Sequence, residues 1–161
     1  MSEKIHVLDS TAFFAGIPFQ GEGRYYTTYH VMDEVGSRGI GSQLIHSRVQ
    51  VTEPSKESVQ KVKQISLKTG DSKSLSEADT SIIAVSLDLA SSGEVILVTD
   101  DFAVRNVAEA LGIGLSQTNV RGEWKQITWV TYCKGCGKEY SDPKATVCDV
   151  CGTKLSRKPK A

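Results

Sequence analysis

The stretch ILVTDDFAVRNVAEALGI, residues 96–113, joins a short apolar run to a segment whose apolar residues have helical spacing. The apolar run is typical of a buried strand, and Val104 and Val107 begin the pattern of an amphipathic helix. Two adjacent aspartates, Asp100 and Asp101, lie where the strand ends and the helix begins. Aspartate is an ordinary helix N-cap, because it accepts hydrogen bonds from unpaired N–H groups and suits the helix dipole. A functional interpretation therefore needs further acidic residues at similar positions.

Apolar strands alternate with amphipathic helices along most of the 161-residue chain. The patterns predict strands at 6–9, 25–29, 49–52 and 94–99, an edge strand at 112–116, and helices at 31–35, 55–70, 75–90 and 103–111. This alternation predicts a parallel α/β sheet covered by helices on both faces. Functional groups collect at the carboxyl ends of such strands. Asp9 would therefore lie near Asp100 and Asp101 if their two strands are neighbours.

Two further acidic residues complete a candidate set. Glu34 lies in TTYHVMDEV, residues 27–35, and Asp79 lies in LSEADTSIIAVSLDLA, residues 75–90. Each has an ordinary alternative: Glu34 could be a solvated helix acid, and Asp79 could close a capping box with Ser76. Carboxylates crowded at one sheet edge would repel one another unless a cation compensated them. Such oxygen ligands, with no Cys or His among them, favour Mg²⁺ or Mn²⁺.

All four cysteines lie in the last 30 residues, in CKGCG (133–137) and CDVCG (148–152). Two C-x2-C pairs separated by eleven residues are typical of a structural zinc site, with Cys133, Cys136, Cys148 and Cys151 as the ligands. The alternative is two redox-active dithiols, which would need a thioredoxin-like context that the sequence lacks. Because so short a segment buries little apolar surface, we expect the metal to supply its folding energy.

The charge is unevenly distributed, although its net value is zero. Residues 1–120 carry 10 Lys and Arg against 15 Asp and Glu, whereas residues 121–161 carry 9 against 4. The basic part favours an anionic partner such as RNA, and the alternative is a solvated tail. Trp124 and Trp129 could stack bases or pack a domain junction. The candidate RNA-binding residues are Lys134, Lys138, Lys144, Lys154, Arg157, Lys158 and Lys160.

These patterns divide the chain into a body at 1–120, a connector at 121–129, a zinc ribbon at 130–155 and a basic tail at 156–161. No window is apolar and long enough to span a membrane. The N-terminal residues MSEKIHVLDS lack the basic-then-apolar layout of a signal peptide, which predicts a cytoplasmic protein.

The remaining polar and aromatic residues give weaker indications. A Gly- and Ser-rich loop is predicted at 36–48, which includes Arg38 and His46. His6 is predicted to pack within the first strand, and His30 and His46 to face solvent. Three tyrosines could stack bases or simply pack, namely Tyr25, Tyr26 and Tyr29.

Four motifs in order, VLDSTAFF, TTYHVMDEV, LSEADTSIIAVSLDLA and ILVTDDFAVRNVAEALG, resemble those of PIN domains, a family of metal-dependent nucleases. With a four-cysteine ribbon after them, the chain resembles the archaeal Nin-one-binding endonucleases, which are associated with trimming the 3′ end of small-subunit ribosomal RNA. The resemblance implies an RNA target within a pre-ribosomal particle, with assembly factors as possible protein partners.

The resemblance also implies which carboxylates act, and these are Asp9, Glu34, Asp79 and Asp101. The family pattern Thr-x-Asp selects Asp101 through Thr99 and leaves Asp100 as a flanking acid, although the choice between the two aspartates stays open. Asp9 and Asp101 are expected to bind Mg²⁺ or Mn²⁺ directly, and Asp79 directly or through another ligand. Glu34 would orient or deprotonate a water.

Ser10 or Thr99 would contact a phosphate oxygen in this scheme. Water attack would leave 5′-phosphate and 3′-hydroxyl ends.

Three other interpretations compete with this one. A non-catalytic RNA-binding ribosome assembly factor would use the acids as caps. A toxin-type PIN ribonuclease would share the acids but has less need of a basic ribbon. A phosphoacceptor receiver domain would place its acid pair after the first strand rather than after a late one.

Overall fold

The structure is a computed structural model that describes residues 3–15, 23–37, 48–118 and 125–161. Most of the predicted loop at 36–48, with Arg38 and His46, lies outside the described residues, as do Arg121 and Trp124 of the predicted connector. The strands are β1 Lys4–Leu8, β2 Arg24–Thr28, β3 Val49–Thr52, β4 Glu94–Val98, β5 Gly114–Ser116, β6 Trp129–Tyr132, β7 Glu139–Tyr140 and β8 Ser156–Pro159. The helices are α1 Ser10–Phe14, α2 Tyr29–Ser37, α3 Lys56–Thr69, α4 Glu77–Leu89 and α5 Phe102–Ala110.

Five parallel strands form the main sheet in the order β3-β2-β1-β4-β5, which confirms the predicted α/β class. Strand β1 pairs with β4 along its whole length, from Lys4 opposite Glu94 to Leu8 opposite Val98. The strands that precede Asp9 and Asp100 are therefore neighbours. The chain leaves β1 for β2 on one side and returns to β4 on the other, so the β1–β4 pair is the switch point where α/β sheets place ligand sites.

The helices predicted at 31–35, 55–70, 75–90 and 103–111 are found as α2 to α5, with ends that differ by one or two residues. The five-residue helix α1 was not predicted, because it is too short to show a periodic apolar pattern. Ser55 caps α3, and the helix ends at Gly70, whose φ of 82° is in the left-handed region that glycine adopts without strain. Ser76 caps α4 in a complete capping box with Asp79. The buried core joins apolar residues of the central strands to the middle of α4, where six consecutive residues from Ser81 to Ser86 are buried. This core fixes the carboxyl edge of the sheet.

The four cysteines lie in a second, three-stranded antiparallel sheet in the order β7-β6-β8. The basic segment predicted as a tail at 156–161 is not separate from this ribbon, because Ser156–Pro159 pair with β6 from Tyr132 to Trp129. Pro159 has no N–H to donate to a neighbouring strand, and this is tolerated because β8 is an edge strand of the sheet.

The ribbon packs on the body through buried polar groups. The Asn106 side chain on α5 accepts from the Ile127 N–H at 2.7 Å, and its Nδ2 donates to the Ile127 carbonyl at 2.5 Å and to Asp71 at 2.6 Å. Arg157 of β8 lies 3.6 Å from Asp71, and its guanidinium lies 4.6 Å from the centre of the Trp129 ring. Trp129 thus lies at the junction. No described helix is long and apolar enough to cross a membrane.

Candidate active site and metal centre

Acidic residues from three elements meet at the carboxyl edge of the sheet. Asp9 directly follows β1, Asp101 follows β4, and Asp79 lies in the first turn of α4. Asp9 interacts electrostatically with Asp79 and Asp101, and Asp79 interacts with Asp101 and Glu34. The three aspartates therefore repel one another, and Glu34 repels Asp79.

Asp9 is held rigidly. It is the N-cap of α1 and only 2% exposed, and its Oδ1 accepts from the Ser10 N–H at 2.7 Å. Its Oδ2 accepts from the Thr99 hydroxyl at 2.6 Å. The same hydroxyl accepts from the Asp101 N–H at 3.1 Å. Thr99 therefore links the two aspartates and fixes where the Asp9 carboxylate lies.

The two adjacent aspartates of the 96–113 stretch have different partners. Asp100 accepts from the Thr118 N–H at 2.7 Å and is also hydrogen-bonded to the Thr118 hydroxyl, which holds it toward the segment after β5. Asp101 caps α5, with Oδ1 accepting from the Val104 N–H at 3.0 Å. Its Oδ2 makes no hydrogen bond within the described part of the chain. Capping and ligation are thus compatible for Asp101, because the cap occupies one oxygen only.

Asp79 and Glu34 complete the group. Asp79 Oδ2 accepts from the Ser76 N–H at 2.8 Å in the capping box, so one of its oxygens is likewise used by the fold. Glu34 is half-buried on α2. In the ranges that the structure describes, its carboxylate accepts no hydrogen bond. Asp79 and Asp101 therefore both serve in helix caps, and both keep oxygen lone pairs for another ligand.

Burial and mutual repulsion make this edge unfavourable for negative charge. Desolvation, with smaller contributions from the charges of Asp79 and Asp101, raises the pKa of Asp9 to about 6 in spite of the Thr99 and Ser10 hydrogen bonds that lower it. Desolvation also raises the pKa of Asp79, with Asp101 and Glu34 adding to the shift. A divalent cation bound here would lower the pKa of both carboxyls, because it favours their charged forms. An all-oxygen donor set that raises its own pKa values in this way fits a hard cation.

The four cysteines form a compact group whose sulfurs all lie within 4.8 Å of one another. In the described ranges it is the only group of three or more His, Cys, Asp or Glu side chains whose ligand atoms lie this close together, so the carboxylates of the acidic edge are spaced more widely than the sulfurs. Cys133 Sγ lies 3.4 Å from Cys151 Sγ, and Cys136 Sγ lies 3.6 Å from Cys148 Sγ. A tetrahedron with metal–sulfur distances of about 2.3 Å requires sulfur separations of about 3.8 Å. The group thus has the size of a four-coordinate zinc site.

The two cysteine pairs have matching backbone geometry. Gly137 (φ 80°) donates to the Cys133 carbonyl at 2.9 Å, and Gly152 (φ 71°) donates to the Cys148 carbonyl at 3.0 Å. Backbone N–H groups point at sulfur in both, from Gly135 to Cys133 at 3.3 Å and from Val150 to Cys148 at 3.4 Å.

The thiolate form of Cys148 is further favoured. The Tyr140 hydroxyl donates to Cys148 Sγ at 3.0 Å, and this bond is the main cause that lowers the pKa of Cys148 to about 6. Thiolate is the form that binds metal.

The predicted RNA-binding cations fall into two groups. Lys138 pairs with Asp149 at 2.8 Å, Lys158 pairs with Glu139 at 2.8 Å, and Arg157 contributes to the domain junction. The other four are exposed and make no ion pair with any described residue; they are Lys134, Lys144, Lys154 and Lys160.

Sequence reasoning missed part of the basic surface. A groove of about 490 Å³ lies at the junction of body and ribbon, and its lining includes Lys68 and Lys73 of the body together with Arg157 and Lys160 of the ribbon. In the sequence, Lys68 and Lys73 are isolated charges near the end of α3. Only the docking of the ribbon brings them beside its basic residues. No local pattern signals that proximity.

Comparison with known proteins adds independent observations. The family described as "PIN domain of ribonuclease" matches residues 6–89. Endoribonuclease Nob1 of Pyrococcus abyssi is 37% identical over 159 residues, which span 96% of this chain and 93% of that protein. Endoribonuclease Nob1 of Archaeoglobus fulgidus is 36% identical over 154 residues, spanning 93% and 88%. Ribonuclease VapC1 of Thermoplasma acidophilum is 30% identical over 155 residues, spanning 95% and 77%.

Proposed function

The chain belongs to the PIN-domain family of ribonucleases, and from this premise we propose that it is a metal-dependent endoribonuclease that matures the 3′ end of small-subunit ribosomal RNA. The observation that supports the proposal is that Asp9 and Asp101 follow the adjacent strands β1 and β4, that Asp79 interacts electrostatically with both, and that Glu34 interacts with Asp79. The ribosomal target is supported by similarity to four archaeal proteins named Endoribonuclease Nob1 along nearly the whole chain.

Asp9, Asp79 and Asp101 would hold Mg²⁺ or Mn²⁺. A divalent ion at this edge supplies charge neutralisation, activation of water and stabilisation of the leaving oxygen. Asp101 is preferred over Asp100, because the charge of Asp101 acts on Asp9 and Asp79, whereas Thr118 holds Asp100 toward the segment after β5. Mg²⁺ and Mn²⁺ share the preference for carboxylate oxygens, and the donor set does not discriminate between them.

The remaining polar groups of the edge have separate tasks. Glu34, whose carboxylate is not committed to a helix cap, would orient the attacking water and accept its proton. Thr99 is a positioning residue, because its hydroxyl donates its one proton to Asp9. It has no proton left to donate to a phosphate oxygen. Of the two hydroxyls predicted to contact phosphate, Ser10 is therefore the better candidate.

The ribbon would serve to capture RNA. We assign Zn²⁺ to the four cysteines, because thiolates at this spacing match its tetrahedral preference. The exposed Lys134, Lys144, Lys154 and Lys160 would contact phosphates, and Lys68 and Lys73 would extend that surface onto the body. The acidic edge repels phosphate without its metal, so capture by a separate basic surface precedes cleavage in this scheme.

The test is cleavage of a small-subunit RNA fragment that spans its mature 3′ end, by the full chain with zinc retained. Cleavage is expected with Mn²⁺ or Mg²⁺ and not with metal-free buffer, and the products should carry 5′-phosphate and 3′-hydroxyl ends. Products with 2′,3′-cyclic phosphate would refute water attack. Tight RNA binding without cleavage in any divalent ion would instead support a non-catalytic assembly factor.

A further inference from the structure

A cavity of about 780 Å³ opens at the carboxyl edge of the sheet, beside the acidic group. It lies beyond the ends of β2 and β3, where Thr28 and Glu53 belong to its lining, and between α3 and α4. Ser76 lines the cavity and is also hydrogen-bonded in both directions to Asp79. The cavity is therefore separated from a proposed metal-binding carboxylate by a single residue, and its size is that of ordinary ligand pockets.

The cavity combines an apolar interior with an exposed aromatic ring. Val59 and Leu75 are half-buried apolar residues in its lining. Tyr29 and Leu67 also line it, and both are exposed, at 55% and 49%. A large exposed aromatic next to an apolar surface is the arrangement that stacks a nucleobase. Neither the sheet nor the core needs the Tyr29 ring, because the ring lies mostly in solvent.

The charges around the cavity indicate which part of a nucleotide it accepts. Among the described lining residues, Glu53 and Glu77 are acidic, and Lys63 is the one lysine. Two carboxylates disfavour a phosphate, but they accept hydrogen bonds from the amino and imino groups of a base. This contrasts with the groove at the domain junction, whose charged lining residues are three lysines, one arginine and a single acid, Glu139.

We propose that this cavity binds one nucleobase of the RNA strand, next to the scissile phosphate, with Tyr29 as the stacking platform. The inference rests on the proposed nuclease function and adds to it a base-binding subsite. A strand whose phosphate lies at the β1–β4 edge can place a neighbouring base over β2 and β3, because the cavity and the acids share one edge of the sheet. The subsite fixes the register of the RNA at the metal site.

The experiment measures kcat and KM of the full chain in Mn²⁺ for a set of short RNAs, each with one abasic nucleotide at a different position around the cleavage site. For intact RNA, Tyr29→Ala should raise KM roughly 5- to 160-fold, the range expected for loss of one stacked base. Tyr29→Phe keeps the ring and is the matched control, with KM within about twofold of wild type. For wild type, one abasic position should reproduce the loss, and Tyr29→Ala should add nothing further on that RNA.

The outcomes separate this inference from the function on which it rests. If wild type cleaves but no single abasic position raises KM, or if Tyr29→Ala costs the same on every abasic RNA as on intact RNA, the base subsite is refuted and the nuclease function stands. If Tyr29→Phe loses as much as Tyr29→Ala, the hydroxyl rather than the ring is responsible, which also refutes stacking. If wild type cleaves no RNA in any divalent ion, the proposed function fails first.

Discussion

The acidic edge of the body and the cysteine group of the ribbon are both candidate metal sites, but they are built in opposite ways. The acids are added to a sheet with its own buried core, and each of three aspartates also serves as part of a helix cap. The ribbon has two short knuckles and three short strands around the sulfurs. The body should therefore fold without its divalent ion, whereas the ribbon should need its metal to fold.

This difference indicates what each metal does. Negative charge on Asp9 and Asp79 is unfavourable until a cation neutralises it, as their raised pKa values indicate, and this suits an ion that is exchanged and takes part in chemistry. The cysteine group, in contrast, combines thiolates with N–H···S hydrogen bonds in a unit that has little apolar core. Such a site suits a structural ion that is not exchanged.

The largest effect should follow removal of a zinc ligand. Cys148→Ser should abolish the ordered ribbon, because structural zinc contributes on the order of 10 kcal/mol to such small units. Amide exchange should show lost protection for β6 to β8, with protection retained in β1 and β4. Protein purified without chelator should contain one zinc per chain. A disulfide between ribbon cysteines, or unchanged protection in Cys148→Ser, would contradict the account.

A smaller loss of stability is expected at the junction between the two regions. Asn106→Ala would leave the Ile127 N–H and carbonyl and the Asp71 carboxylate without their buried partner. Unsatisfied buried groups of this kind cost about 1–3 kcal/mol each before relaxation. Urea unfolding of the full chain should therefore show destabilisation of about 2–4 kcal/mol. Gln60→Ala, on the exposed side of α3, is the control and should change stability little. Equal stability of Asn106→Ala and wild type would mean that the two regions do not support each other.

The acidic edge should respond in the opposite direction. The pKa of Asp9 is about 6 in the folded protein and near 3.9 when unfolded. Below about pH 4 the carboxyl is protonated in both states. Between the two values the unfolded state releases its proton first, so the free energy of unfolding falls as pH rises. Above about pH 6 the full penalty applies, at most about 3 kcal/mol.

Asp9→Asn removes that penalty and nearly keeps the shape. Without added Mg²⁺ or Mn²⁺, the variant should be about 1–3 kcal/mol more stable than wild type at pH 7.5 and nearly equal at pH 4. Urea unfolding at both pH values measures this difference. A variant that is less stable at pH 7.5 would show that the Thr99 and Ser10 hydrogen bonds outweigh the repulsion.

The smallest effects per residue should come from the exposed ribbon lysines. Replacing Lys134, Lys144, Lys154 and Lys160 with Ala should reduce the dependence of log affinity on log salt by up to about 0.7 for each lysine that contacts a single-strand phosphate. RNA affinity should be measured against salt in Ca²⁺, with the full chain. Lys61→Ala on α3 is the control for a generic loss of charge. An unchanged slope in the fourfold variant would place RNA capture elsewhere.

Local patterns were enough to predict most of the fold. The Ser55 cap, the Gly70 stop and the Ser76–Asp79 capping box are each specified within a few residues, and the structure confirms them. The cysteine group could also be predicted from short segments, since one backbone turn brings together the two cysteines of each C-x2-C pair. The short strand β8 was missed because SRKP has no apolar alternation and reads as a charged tail. Only its pairing with β6 makes it a strand.

Contacts between distant residues could not be predicted in the same way. Thr118 holds Asp100 from 18 residues away, and this contact separates the two adjacent aspartates. Thr99 reaches Asp9 across 90 residues. The junction of Asp71, Asn106 and Ile127 joins three segments with no shared motif. Such placements depend on strand order and domain docking, which short sequence patterns do not encode.

We propose that the acidic edge holds a divalent ion through Asp101 rather than Asp100. The most direct test is Mn²⁺ binding to the full chain with its ribbon metal retained, measured by calorimetry for wild type, Asp101→Asn and Asp100→Asn. Wild type should bind Mn²⁺, Asp101→Asn should bind at least about tenfold more weakly, and Asp100→Asn should stay within about threefold of wild type. Wild type that binds no Mn²⁺, or a larger loss in Asp100→Asn than in Asp101→Asn, would contradict the account.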